Sequence, residues 1–146
     1  MLRLNLNYFI FLFGIYFIQP ELFAQAPNWE WAKTARCSGS SGTGIATDNS
    51  GNIYTITNYA GTYFIIGNFT LTTFSSYQGN CALTKTDANG NVIWSTNIGS
   101  GNQRGVSLAI DASQNIFVVG DTYGNIDKVF LAKYDQAGTP VWTKTT

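Results

Sequence analysis

Apolar and polar residues alternate along the chain in short runs separated by clusters of Asp, Asn, Gly and Ser. Gly44–Thr47, Ile53–Thr57, Ala82–Thr86, Ser107–Ile110, Ile116–Gly120 and Val129–Tyr134 are short runs with β-branched and aromatic residues bounded by Asp, Asn, Gly and Ser, the composition of strands between turns. Two further strands are predicted around Trp94 and Trp142. The turns read D-x-x-G or D-x-x-Q. In such a turn the Asp side chain caps the reversal, and Gly or Asn accepts the positive φ the hairpin needs. Tyr63–Ile66 and Phe69–Thr73 flank Gly67-Asn68, so an additional hairpin is predicted there.

The strands belong to a repeat. Gly44–Tyr54 recurs as Ser107–Phe117 at an offset of 63, which also relates Trp31 to Trp94. Leu83–Trp94 recurs as Leu131–Trp142 at an offset of 48, so the first copy holds 15 extra residues between its two halves. Each copy then consists of four strands, A to D, at about 43–97 and 105–146, within a repeat region at 25–146. The segment 28–34, with Trp31 in the place of Trp94 and Trp142, resembles a D strand that has no A, B and C strands before it.

The N-terminus follows a different pattern. Arg3 precedes an unbroken apolar run from Tyr8 to Ile18, and Ala24 and Ala26 form an A-x-A. A run of this length suits a signal peptide and is too short for a hydrocarbon core of ~30 Å. Pro27 hinders cleavage after Ala26, so residues 1–24 are expected to be the leader; an uncleaved anchor is the alternative. The protein is then secreted or held at the cell surface, with no membrane span after cleavage.

Composition narrows the chemistry. Eight Lys and Arg balance eight Asp and Glu, so no charged field points to nucleic acid. The chain has no His, which excludes a Ser-His-Asp triad or a Cys-His pair within it. One carboxylate per turn falls short of the six to eight oxygens calcium takes, and neither Cys has metal-ligand spacing. Asp121 and Asp127 would suit glycoside hydrolysis only if their carboxyls stood ~5–9 Å apart; as acids of a solvated loop they need no such role. No catalytic, cofactor-binding or metal-binding residue is therefore assigned. Asn68-Phe69-Thr70 is a formal glycosylation sequon.

The stretches Asp48-Asn49-Ser50-Gly51-Asn52-Ile53-Tyr54 and Phe130-Leu131-Ala132-Lys133-Tyr134-Asp135 resemble the SBBP family, the secreted β-propeller repeat of bacteria. The resemblance covers residues 29 to about 142. It departs at Cys81–Thr86, where the usual aromatic is missing, and in the short B–C segment of the second copy. It implies all-β propeller blades of four antiparallel strands, and export, and it supplies no catalytic residues. Rings need ~4–8 blades, roughly 200 to 500 residues at this repeat length. Two blades and an orphan outer strand therefore imply an incomplete ring, expected to belong to a longer chain. Self-assembly of short chains and a truncated, non-functional reading frame are the alternatives.

In an up-and-down blade the tight Asp turns share one face, and the longer segments 35–43, 58–80, 97–105 and 121–128 share the other. Variable loops on a rigid scaffold are where recognition usually resides. Tyr59, Tyr63, Tyr77 and Tyr123 fall in or beside them and are candidates to stack on a sugar ring or anchor a protein; the competing role is closing apolar surface between blades. Trp29, Trp31, Trp94 and Trp142 read as packing between blades. Cys37 and Cys81 fall on the same face, so a disulfide between them is open, as are two unpaired thiols. The expected function is a secreted non-catalytic scaffold or recognition module, with carbohydrate or a cell-surface protein as partner. The alternative is the N-terminal part of a secreted hydrolase with its catalytic residues downstream.

Overall fold

The computed structural model describes residues 28, 30–73, 79–100, 102–123 and 128–146. The leader read at 1–24, Trp29, Tyr77 and Asp127 lie outside them. Eleven strands are described: β1 (Ala35–Arg36), β2 (Gly39–Thr47), β3 (Ile53–Ala60), β4 (Tyr63–Ile66), β5 (Phe69–Thr72), β6 (Asn80–Thr86), β7 (Val92–Asn97), β8 (Gln103–Ile110), β9 (Ile116–Thr122), β10 (Lys128–Tyr134) and β11 (Pro140–Thr145). They form two four-stranded antiparallel sheets, β2-β3-β6-β7 and β8-β9-β10-β11, and a small sheet β1-β4-β5. Among the described residues no sheet closes into a barrel.

The predicted strands are found with little change at their turn-facing ends, and they run further at their other ends. β2 begins at Gly39 and β8 at Gln103, through Gly- and Ser-rich stretches with no apolar alternation. Both pass through a bulge at equivalent places, between Gly42 and Gly44 and between Gly105 and Ser107. Backbone pairing alone carries the ladder there, and a period-two reading cannot see it. The segment 28–34 differs more: its described residues are not in a strand. Trp31 nonetheless holds the repeat position, because its Nε1 donates to the Ala88 carbonyl at 2.9 Å as Trp94 Nε1 donates to Gln136 at 3.2 Å.

The two large sheets pack through one core. Tyr54, Ile56, Cys81 and Leu83 from the first meet Ile116, Val118, Phe130, Ala132 and Tyr134 from the second, with Leu108 and Ile110 of β8 against them. Close approach depends on glycine. A Cβ on Gly105 would lie 2.5 Å from Ile56 Cγ2 and 2.7 Å from Cys81 Sγ, so β8 reaches β3 and β6 only without a side chain there. Asn58 locks the contact: its side-chain amide accepts from the Gly105 N–H at 2.8 Å and donates to the Gly105 carbonyl at 2.9 Å.

All four Asp turns share one geometry. Asp48, Asp87, Asp111 and Asp135 each accept through Oδ1 from the backbone N–H groups two and four residues on, at 2.7–3.0 Å. The positive φ falls on Gly51, Gly90 and Gly138, and in the third turn on Gln114, with φ 64°. A side chain in that region is strained, and the buried Gln114 Oε1 finds no hydrogen-bond partner among the described residues. Gln114→Gly is expected to stabilise the fold by about 1 kcal/mol, measured as a higher urea midpoint with unchanged slope.

Candidate functional site: a cleft at the rim of the two sheets

The ends of the sheets opposite the Asp turns leave a cleft of about 300 Å³, floored by Ser40 and Ser41 of β2 and Asn58 and Ala60 of β3. Gln103 and Arg104 of β8 form one wall, with Gly79 and Tyr123 beside them. Arg104 stands directly opposite Asp121 in the β8–β9 ladder. Their side chains form a bidentate pair, Nη2 to Oδ2 at 2.6 Å and Nε to Oδ1 at 3.1 Å. Hydrogen bonding and the charge of Asp121 raise the Arg104 pKa above its ordinary value. The guanidinium carbon lies 5.8 Å from the Tyr123 ring centroid, within cation–π range. Tyr123 is 40% exposed, and its backbone N–H donates to the Asn102 carbonyl at 2.7 Å.

This is a surface of one exposed aromatic ring, Tyr123, with the buried Tyr59 beneath, one oriented ion pair and two hydroxyls, opened by glycines. A Cβ on Gly79 would touch the Tyr123 ring at 3.7 Å, so that residue's smallness helps leave the ring clear. The arrangement can bind a flat ligand with polar edges. Among the described residues the lining offers no pair of carboxylates for acid–base work.

The sequence candidates divide here. Tyr123 is at the cleft. Tyr63 is exposed on β4 of the small sheet, and Tyr77 lies outside the described residues. Tyr59 lies in β3 and not in a loop; it lines the same cleft but is only 3% exposed, with its ring 5.0 Å from Phe64 and its hydroxyl donating to Asn97 Oδ1 at 2.7 Å. Burial pushes its pKa up to about 12. Cys37 and Cys81 are both free thiols. Cys81 faces the core between the large sheets, while Cys37 packs beside Ala82, which points from the opposite face of β6. Burial pushes the Cys81 thiol up to about 12.

Arg104 was not among those candidates. Counting back from the Ile110–Ile116 pair places Arg104 opposite Thr122, and only the bulge after Gly105 moves it opposite Asp121. Neither the bulge nor the partnership shows as a pattern in the sequence. No protein-family model matches the chain, and no curated protein matches it.

Proposed function

We propose that the chain is a secreted, non-catalytic recognition module of β-propeller type, and that its cleft at Tyr123 binds carbohydrate. Two features support the propeller reading: four-stranded up-and-down sheets in tandem, joined through equivalent residues, and the SBBP-like repeat. Export rests on the leader pattern at 1–24. The observation that carries the ligand reading is the exposed Tyr123 ring beside a guanidinium fixed by Asp121. An aromatic face stacks on the C–H side of a sugar ring, while the pair and the Ser40 and Ser41 hydroxyls meet its equatorial hydroxyls. Pre-ordering by Asp121 reduces what Arg104 must lose on binding.

The test is titration with neutral oligosaccharides, followed by amide chemical shifts. Shifts should concentrate at Ser40, Ser41, Arg104 and Tyr123. Tyr123→Ala should weaken binding by about tenfold or more, with Tyr63→Ala leaving it unchanged. Binding indifferent to Tyr123→Ala, or no binding at millimolar glycan, rejects the reading.

A further inference from the structure

The face that the second large sheet turns toward the first carries Phe130, Ala132 and Tyr134, all buried in the shared core. The offset of 48 puts Ala82, Thr84 and Thr86 at the same positions of the first sheet. These three are buried as well, although both aromatic rings are gone. Next to Ala82 the small sheet fills the space. Phe64 of β4, with no exposed surface, packs with Ala82 and Tyr59, and Ala35, Cys37, Ile66 and Leu71 close around them. The aromatic missing at Ala82 is thus returned by a ring from the inserted hairpin.

The small sheet is two-faced. Phe64 stands opposite Leu71 and Ala35 opposite Ile66, so these apolar side chains share the inner face. Arg36, Tyr63, Thr70 and Thr72 belong to the other face and are exposed. The hairpin reaches both ends of β7. At its base Asn97 Nδ2 donates to the Thr72 carbonyl and Asn80 Nδ2 to the Gly61 carbonyl, both at 3.1 Å. At its tip a Cβ on Gly67 would lie 3.1 Å from Val92 Cγ2. Trp31 covers the turn before β7, at Ala88 and Gly90, as Trp94 covers the equivalent turn of the second sheet.

We propose that the small sheet and Trp31 form a cap that stands in for a neighbouring blade, so that the stack of blades ends at this face of the first sheet. Packed sheets lie ~10 Å apart, and beside β6 and β7 that layer is already filled. Toward β2 and β3 the cap leaves a cleft of about 700 Å³, a fraction of the volume of a four-stranded blade. A further sheet therefore cannot lie flat here without displacing the cap. An apolar inner face and a polar outer one are what the terminal unit of a repeat array requires. The proposal rests on the equivalence of the two large sheets, and the carbohydrate reading can fail without affecting it.

Thiol labelling of the folded, exported chain tests this, because Cys37 lies under the cap and Cys81 under the second sheet. Cys37 should react about tenfold or more slowly than in the urea-unfolded chain. Phe64→Ser should raise its rate toward the unfolded value and leave Cys81 protected; if Cys81 is exposed too, Leu71→Ser takes its place. Thr70→Cys, on the outer face, should react as a free thiol. Ala82→Phe should lower the folding equilibrium constant about tenfold or more by overfilling the space beside Phe64. Adding Phe64→Ala should recover most of that loss. Where Ala82→Phe alone does not fold, a folded double variant shows the same rescue. An unprotected Cys37 in the unaltered protein means the cap is displaced, and a protected Thr70→Cys means another body covers it. Either overturns the proposal, as does Cys37 protection indifferent to the loosened cap, or a double variant no more stable than Ala82→Phe.

Discussion

Asp48→Asn is expected to lower the unfolding free energy by about 3 kcal/mol, and the same change at Asp111 by about 1 kcal/mol. The two residues cap equivalent turns with equivalent bonds, but their surroundings differ. The Asp48 carboxylate is completely shielded, with Oδ2 accepting from Asn52 Nδ2 at 2.8 Å and from the Tyr54 hydroxyl at 3.1 Å. Lys85, 5% exposed, has its Nζ 3.7 Å from the same oxygen. Removing the negative charge leaves a buried ammonium without its counter-charge, which costs more than the pair contributes. Asp111 is half-buried and loses only a turn cap. Urea melts of the two variants measure the difference directly.

The same site sets an acid response. Burial raises the Asp48 pKa, but hydrogen bonds from Asn52, Ser50 and Tyr54 outweigh it and hold the carboxyl below its usual 3.8. Asp87 and Asp111 are lowered by their own turn bonds, the Asn91 and Asn115 side chains first. The unfolded chain therefore binds more protons than the folded one below about pH 4. The stability these groups contribute is present above that pH and is lost as pH falls toward their folded values. Asp48→Asn should flatten part of that slope.

Trp94→Ala is the second large effect, at about 3 kcal/mol. Its indole spans the two sheets: Nε1 reaches the Gln136 carbonyl, the ring meets Tyr54 edge-on, and a Cβ on Gly138 would lie 3.0 Å from it. Trp142 makes the equivalent edge contact with Phe117 within its own sheet, with no turn of the other sheet packed on it among the described residues. Trp142→Ala should therefore cost less than half as much, read as the difference in thermal midpoint.

Much of this architecture was legible because the repeat states it twice. The offsets of 63 and 48 predict the four-stranded units and the inserted hairpin, and they place Trp31 with Trp94. What stayed hidden depended on geometry that local pattern does not encode. Tyr59 lies in a segment that reads as loop, because β3 runs on to Ala60 beyond the last clear alternation. The side chains of Cys37 and Cys81 diverge because successive residues of β6 face opposite ways, a parity that loop positions do not reveal. Arg104 reaches Asp121 only through a bulge. The candidate site was thus legible in Tyr123 and in the buried Tyr59 of its lining, and not in Arg104 or the serines.

The central claim is that the two sheets are equivalent units joined by Trp94 on Gly138, as Trp31 sits on Gly90. The most direct test is the proton spectrum of those two glycines, because an indole face that close shields their α-protons. Both glycines should resonate well upfield of ordinary values, with Gly138 returning to normal in Trp94→Ala and Gly90 in Trp31→Ala. Ordinary shifts at Gly138 in the unaltered protein would contradict the account, since the sheets would then not be stacked through that tryptophan.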